Sequence, residues 1–195
     1  MPVIGVTGSF GSGKSTVAAM FGRQGALVFD ADQVIHDLLK VPGPVLKAVV
    51  KVFGPQVLSG REIDRVRLAK IVFDSPKKLQ VLMAILHPAA KRQALKFIRL
   101  NRGAELLVLD VPLLLESGWD TLVDAVVVVK AAQKQQLERI LKRSGTSRAQ
   151  SLKRIRLQMP LRKKIKLADY VVDNSGSQSD TNIQVKRIIR ELQNS

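Results

Sequence analysis

The stretch Gly8-Ser9-Phe10-Gly11-Ser12-Gly13-Lys14-Ser15 follows an apolar run at residues 3–7 and precedes a run that favours a helix. It fits the pattern G-x-x-x-x-G-K-[ST] in full. Glycines in such a loop let the backbone curl until successive N–H groups point at phosphate oxygens, and the following helix adds the positive end of its dipole. The stretch therefore predicts a phosphate-binding loop between a strand and a helix, and with it a nucleoside triphosphate site.

The residue types of this loop predict separate tasks. Lys14 is expected to reach the β- and γ-phosphates, and the hydroxyl of Ser15 to coordinate Mg²⁺. The residues that we expect to hold the nucleotide are Gly11, Ser12, Gly13, Lys14, Ser15 and Thr16. The alternative is a glycine-rich turn that merely contains Lys-Ser, and the strand before it and the helix after it count against that.

Short β-branched runs alternate with longer stretches of helical periodicity along the chain. This pattern favours βαβ units and a parallel sheet covered by helices. Strands are predicted at 3–7, 27–30, 105–110, 125–130 and 170–173. Helices are predicted at 14–23, 33–39, 44–53, 65–73, 77–101, 133–142, 147–166 and 182–193. The predicted fold class is therefore α/β, with a five-stranded parallel sheet in a three-layer arrangement.

About seventy residues without a convincing strand separate the second predicted strand from the third, more than an ordinary crossover needs. Breakers such as Pro42-Gly43-Pro44, Ser59-Gly60 and His87-Pro88 punctuate the stretch. The pattern predicts a helical insertion at residues 41–102.

Carboxylates follow two of the predicted strands. Asp30 and Asp32 close the second strand, and Asp110 ends the third. The carboxyl ends of strands line the ligand crevice of a doubly wound sheet. We expect Asp110 to hold Mg²⁺ or its water shell, and one of the other two to accept the proton of an acceptor hydroxyl. From the chemistry alone, helix capping stays an open alternative at both places.

The 195-residue chain is strongly basic, with 32 Lys and Arg against 16 Asp and Glu and a net charge of +16. Residues 134–166 alone hold 12 basic residues and 1 acidic residue. Charge runs are usually solvated helix faces, and a phosphate-backbone footprint for nucleic acid is an alternative. The segment has no Phe, Tyr or Trp on which bases stack, so we expect no specific nucleic acid partner.

The chain has no Cys, which excludes disulfides, thiolate catalysis and Cys-ligated zinc. A metal ion must therefore use oxygen or His ligands. The longest apolar runs fall far below the ~20 residues that a membrane span requires. We expect a cytoplasmic protein with no membrane partner.

Motifs beyond the phosphate loop follow one another along nearly the whole chain. They are Asp30-Ala31-Asp32, Asp64-Arg65 with Leu68, His87-Pro88, Asp110-Val111-Pro112-Leu113-Leu114 with Glu116, Arg139 with Arg143, Arg154 with Gln158-Met159-Pro160, and Ala168-Asp169 with Asp173-Asn174. In this order they resemble the dephospho-CoA kinase family. The resemblance implies ATP-dependent phosphorylation of the ribose 3′-hydroxyl of dephospho-CoA, giving coenzyme A and ADP in the last step of coenzyme A synthesis.

The resemblance also implies a P-loop kinase fold in three parts. The core would comprise residues 1–40, 103–142 and 167–195, the acceptor-binding helical insertion residues 41–102, and a basic, helical lid residues 143–166. Departures occur where the family tends to have Glu in place of Met83, Gly-Gly in place of Gly8-Ser9, and acidic residues in place of Arg162-Lys163 before Lys164. The departures at Met83 and at Arg162-Lys163 concern details of the insertion and lid, and Ser9 leaves the pattern of the phosphate loop intact.

Site residues follow from the resemblance. It assigns catalysis to Lys14, Asp32, Arg139 and Arg154, with Asp32 as the base that orients the 3′-hydroxyl. Arg139 and Arg143, four residues apart on one helical face, would contact phosphates and adenine, and Arg154 the transition state or the acceptor. Asn174 would reach the adenine edge. Arg65 and His87 would bind the acceptor with Asp32, although a loop His that stabilises a turn is an alternative for His87.

The implied small-molecule partners are ATP with Mg²⁺ and dephospho-CoA, and the expected state is a monomer or weak homo-oligomer. A nucleoside or nucleotide kinase, which shares the loop and an Arg-rich lid, is an alternative. A basic nucleic-acid-associated P-loop NTPase is another.

Overall fold

The computed structural model of the chain describes residues 1–73, 75–142 and 158–194. The chain divides into two compact units: Met1–Asp30 with Phe97–Ser195 form the first, and Ala31–Lys96 form the second. The second unit covers most of the predicted insertion at 41–102, with both bounds earlier in the chain.

The strands are β1 (Val3–Gly8), β2 (Leu27–Asp30), β3 (Leu58–Ser59), β4 (Glu62–Ile63), β5 (Leu107–Asp110), β6 (Ala125–Lys130) and β7 (Tyr170–Asp173). The helices are α1 (Lys14–Arg23), α2 (Ala31–Lys40), α3 (Pro44–Phe53), α4 (Arg65–Phe73), α5 (Pro76–Leu100), α6 (Gln133–Lys142), α7 (Leu161–Lys166) and α8 (Gln178–Gln193). Short 3₁₀ turns lie at Pro55–Val57 and Asp120–Leu122.

The first unit contains a five-stranded sheet in the order β2-β5-β1-β6-β7. All of its strand pairs are parallel. The predicted α/β class and five-stranded parallel sheet are confirmed. Because β1 is the central strand, the loop that follows it emerges in the middle of the carboxyl edge of the sheet, with β5 and β6 on either side.

Helices cover both faces of this sheet. On one face, α1 and α8 pack Phe21 and Ile188 into a core with strand residues such as Val6 and Val127. On the other face, Phe29 of β2 packs on Phe97 of α5 and on Trp119, with ring centroids 5.5 and 6.5 Å apart. A sheet buried on both faces requires the continuous apolar strands that the sequence shows. Each fully buried large apolar side chain contributes roughly 1.5–3 kcal/mol relative to exposure.

The second unit has its own apolar core, drawn from α2, α3, α4 and α5 together with Val57 and Ile63. The prediction of a stretch without strands is wrong in one place, because β3 and β4 form an antiparallel hairpin around Gly60. Strands of two residues are too short to show alternation in the sequence. α5 continues through Pro88. No helix in the described part of the chain is both long and apolar enough to cross a membrane.

The C-terminal helix begins earlier than predicted, at Gln178 instead of residue 182. Ser177 and Asp180 form a capping box: the Ser177 hydroxyl accepts from the Asp180 N–H, and the Asp180 carboxylate accepts from the Ser177 N–H. This pairing satisfies N–H groups that a helix start leaves open. Of the helix predicted at 147–166, residues 147–157 lie outside the described residues, and α7 occupies its end.

Candidate active site

The loop between β1 and α1 has the backbone geometry of an anion site. Gly11 and Gly13 have φ angles of 82° and 87°, a left-handed conformation that glycine adopts without strain. The Ser12 N–H donates to the Ser9 carbonyl over 3.1 Å and closes the loop. Gly13 is the residue before α1, and the first turn of α1 contains no acidic side chain. No side chain caps this helix start, which therefore fits an external anion.

Side chains from distant parts of the sequence pack against the outside of this loop. A Cβ atom on Gly13 would clash with Nδ2 of Asn174, and one on Gly11 would lie 2.8 Å from Ile140 of α6. Ser12 is completely buried, and its Oγ has no hydrogen-bond partner in the part of the chain that the structure describes. A phosphate oxygen would satisfy this hydroxyl. The loop is therefore a cradle that fits phosphate.

The Ser12 carbonyl of the loop is held by two polar side chains, and a third side chain orients one of them. It accepts hydrogen bonds from Asn174 Nδ2 at 2.8 Å and from Arg139 Nη1 at 3.2 Å. Arg139 Nη2 also donates to the Asn174 carbonyl at 3.0 Å. The Thr181 hydroxyl donates to Asn174 Oδ1 at 3.2 Å, which orients the amide so that its nitrogen faces Ser12. α6, α8 and the end of β7 thereby hold the loop in place.

These contacts bear on two of the predicted nucleotide residues. Asn174 is 4% exposed, and both polar atoms of its amide bond to the protein. The Arg139 guanidinium donates to the backbone carbonyl of Ser12 in the loop and to that of Asn174 after β7. The predicted contacts of Asn174 with adenine and of Arg139 with phosphates stay predictions. Sequence reasoning missed the bracing role, because no pattern shows which carbonyl a distant side chain will reach.

A second brace reaches the loop from residues 158–164. Gln158 Oε1 accepts the Phe10 N–H over 2.9 Å. Lys164 of α7, completely buried, pairs with Glu116 at 2.8 Å. The family resemblance, which aligns a Lys at this position, is the one signal in the sequence for this buried residue. The basic run around Lys164 favours a solvated helix face instead.

Two carboxylates lie at the carboxyl edge of the sheet. Asp110 ends β5, is 3% exposed, and is paired in register with Val6 of β1 and with Asp30 of β2. Asp30 is exposed. Ser15 is an exposed residue in the first turn of α1. The described residues contain no group of three or more His, Cys, Asp and Glu suited to a metal ion. The register places Asp110 beside the strand that leads into the loop.

The residues predicted to bind the acceptor lie on three helices of the second unit. Asp32 is exposed in the first turn of α2. Arg65 is the exposed first residue of α4, which Asp64 caps by accepting the N–H groups of Val66 and Arg67 at 2.9 and 3.1 Å. His87 lies half-buried inside α5, and burial lowers its pKa. The alternative of a loop His that stabilises a turn is therefore wrong.

The family model of dephospho-CoA kinase matches residues 2–180 of the chain. The chain belongs to the dephospho-CoA kinase family. It is 42% identical over 194 residues to the dephospho-CoA kinase of Carboxydothermus hydrogenoformans, covering 98% of this chain and 94% of that protein. Dephospho-CoA kinases use ATP to phosphorylate dephospho-CoA in coenzyme A biosynthesis, and the family and kinase activity predicted from the sequence are confirmed.

Solved structures agree with this membership. A structure from Thermus thermophilus has a TM-score of 0.83 and 36% identity, and covers 98% of this chain and 97% of that chain. A dephospho-CoA kinase from Campylobacter jejuni has a TM-score of 0.71 and 26% identity, with the same coverage of 98% and 97%. Within the dephospho-CoA kinase pattern, Arg143 and Arg154 lie outside the described residues, as does the lid region up to residue 157.

Proposed function

We propose that the loop at residues 8–15 holds the triphosphate of ATP while the γ-phosphoryl group passes to the ribose 3′-hydroxyl of dephospho-CoA. The observation that carries this proposal is the loop itself, a cradle with a buried Ser12 hydroxyl at the start of an uncapped helix. The backbone of residues 11–16 binds phosphate oxygens, and Lys14 neutralises charge on the β- and γ-phosphates. Phosphoryl transfer needs mainly this positioning and charge neutralisation.

Mg²⁺ fits the oxygen donors at the carboxyl edge of the sheet. Hydroxyl and carboxylate oxygens are ligands that Mg²⁺ accepts together with phosphate oxygens and water. Ser15 and Asp110 would hold the ion, directly or through its water shell. When bound, it supplies positive charge to the β- and γ-phosphates.

The acceptor hydroxyl needs a proton acceptor and an orienting group. Asp32 is our candidate for both, and its exposure leaves the carboxylate accessible to a substrate. Arg65 and His87 are proposed acceptor contacts. Arg139, which keeps further N–H donors beyond its two carbonyl contacts, is proposed to contact phosphates. The proposed roles of Arg143, Arg154 and Asn174 rest on the family resemblance.

The same proposal includes a cytoplasmic location and a monomer or weak homo-oligomer without nucleic acid or membrane partners. Size-exclusion chromatography with light scattering measures the oligomeric state directly.

A coupled assay of ADP release tests the reaction. We expect ADP release with dephospho-CoA and none above background with coenzyme A, whose 3′-hydroxyl already carries phosphate. Nucleosides and nucleoside monophosphates serve as competing acceptors at the same concentration. Faster turnover with any of these than with dephospho-CoA would show that the acceptor has been assigned wrongly.

A further inference from the structure

Lys164 is a buried cation in a helix whose other charged residues face solvent. Its side chain is 0% exposed, whereas Arg162, Lys163 and Lys166 of the same helix are exposed. Lysine is almost never fully buried unless it is paired, because removing an ammonium group from water is costly. The burial of this side chain therefore calls for specific partners.

The partners of the ammonium group are three oxygen atoms of the first unit. Nζ lies 2.8 Å from Glu116 Oε1, 3.1 Å from the Pro112 carbonyl and 3.4 Å from Thr7 Oγ1. An ammonium group has three N–H donors, so these partners account for all of them. The same oxygen, Glu116 Oε1, also accepts the Met159 N–H over 2.9 Å, which further restrains the carboxylate.

Two of these partners stand at the ends of strands that carry the active site. Thr7 is the residue before Gly8 in β1, and Pro112 follows Asp110 of β5 by two residues. The Thr7 hydroxyl donates to the Pro112 carbonyl over 3.0 Å, so the two strand ends are already linked. The Lys164 ammonium group donates to both oxygen atoms of this link. It therefore acts where the phosphate loop begins and where Asp110 ends its strand.

We propose that Lys164 is a positioning residue for nucleotide binding, and this inference rests on the proposed function of the loop. Its ammonium group holds the ends of β1 and β5 at the spacing that the phosphates require, without touching the nucleotide. Glu116 supplies the negative charge that offsets the cost of removing the Lys164 ammonium group from water. Displacing catalytic groups by about 1 Å can cost a hundredfold in rate, which gives such a support its importance.

A purely structural ion pair would behave differently from this support. Buried ion pairs add little net stability, and replacing both partners with uncharged groups is often neutral, whereas removing one partner is costly. If only the pair mattered, losing Lys164 or Glu116 would have equal effects, and losing both would repair the damage. If the bonds to Thr7 and Pro112 matter, every variant without Lys164 binds nucleotide poorly.

The experiment compares Lys164→Met, Glu116→Gln and the double variant. Lys186→Met, on the exposed side of α8, is the control that loses the same charge. Titration calorimetry with ADP gives the Kd, thermal unfolding gives Tm, and steady-state kinetics separate kcat from the KM for ATP. We expect Lys164→Met to raise the Kd by about tenfold to a hundredfold, from the usual strength of a hydrogen bond to a charged group. Glu116→Gln keeps the other contacts and should stay within about threefold.

The decisive result is the double variant, which we expect to bind ADP as weakly as Lys164→Met even where its Tm recovers. Recovery of affinity together with Tm, or equal effects of both single variants, would overturn the proposal. If Lys164→Met does not fold, Thr7→Val tests the same link, with a Kd raised by about threefold or more. A wild-type protein that binds ADP but does not phosphorylate dephospho-CoA would contradict the proposed function while leaving this comparison intact.

Discussion

The two units of the chain present their candidate residues in opposite ways. In the first unit, the phosphate loop is backed by buried side chains that come from far along the sequence, among them Asn174 and Lys164. In the second unit, Asp32 and Arg65 are exposed in the first turns of their helices. The phosphate loop is therefore supported by packed side chains, whereas Asp32 and Arg65 lie outside the apolar core of their unit.

This difference follows from the chemistry that each unit is proposed to perform. A phosphate loop binds through backbone N–H groups, which a protein can aim only by fixing the backbone. An acceptor hydroxyl is oriented by side chains, which need only a stable helix beneath them. Variants of the phosphate loop and its supporting side chains should therefore change the stability and the affinity for nucleotide together. Variants of the exposed acceptor candidates should change turnover alone.

Asp32→Asn gives the largest expected effect. We expect kcat with dephospho-CoA to fall by about 10²- to 10⁴-fold, the usual contribution of a positioned general base. The KM for ATP and the Tm should stay near their wild-type values, because Asp32 is exposed and lies in the second unit. Steady-state kinetics at saturating dephospho-CoA and thermal unfolding measure both.

Asp37→Asn is the matched control, since Asp37 is exposed on the same helix and accepts a hydrogen bond from Gln33 Nε2 at 2.8 Å. Its kcat should stay within about twofold of wild type. A near-normal kcat for Asp32→Asn would remove Asp32 from the catalytic role. A large loss of Tm in Asp32→Asn would show that the fold of the second unit depends on this exposed side chain, which contradicts the difference between the two units.

Gly13→Ala tests the packed side of the comparison. Gly13 and Gly25 both have positive φ, at 87° and 97°, so alanine strains both by about 1–2 kcal/mol. Only at Gly13 would the new Cβ displace the Asn174 amide, because nothing lies within 4 Å at Gly25. We expect Gly13→Ala to lose more free energy of unfolding than Gly25→Ala, and to bind ADP at least about tenfold more weakly.

Chemical denaturation and calorimetry with ADP measure these two quantities. Gly25→Ala should bind ADP as the wild type does, since Gly25 lies beyond the far end of α1. If both variants lose the same stability and neither loses affinity, Asn174 does not hold the loop.

The sequence was sufficient for the parts of the molecule that local pattern determines. All five strands of the parallel sheet appear where apolar β-branched runs predicted them, because a strand buried on both faces admits few polar residues. The phosphate loop was equally evident, because its function restricts residue types at fixed spacing. The resemblance to a family added the acceptor, which no local pattern shows.

Contacts between distant residues were not predictable from pattern. The brace from Asn174 to Ser12 joins residues far apart in the chain, and Lys164 stands in a basic run that favours exposure. The hairpin of β3 and β4 is too short for periodicity to reveal it. These features depend on how the elements pack, which local sequence pattern does not reveal.

His87 is a half-buried candidate in the second unit, and its effect should be the smallest. Burial lowers its pKa below the ordinary value of 6.5, so the unfolded chain binds a proton more readily than the folded chain does. The free energy of unfolding should be highest above pH 6.5 and should fall as the pH drops toward the pKa of His87 in the folded protein.

The variant His87→Gln removes this titrating group. Between pH 7.5 and 5.5 we expect the free energy of unfolding of the wild type to fall by up to about 1 kcal/mol more than that of His87→Gln. Denaturation curves at both pH values measure this difference. If His87→Gln keeps the pH dependence of the wild type, the titrating group lies elsewhere. If His87→Gln loses turnover but keeps its stability, His87 acts like Asp32, as a contact of the acceptor and not as a residue that supports the fold.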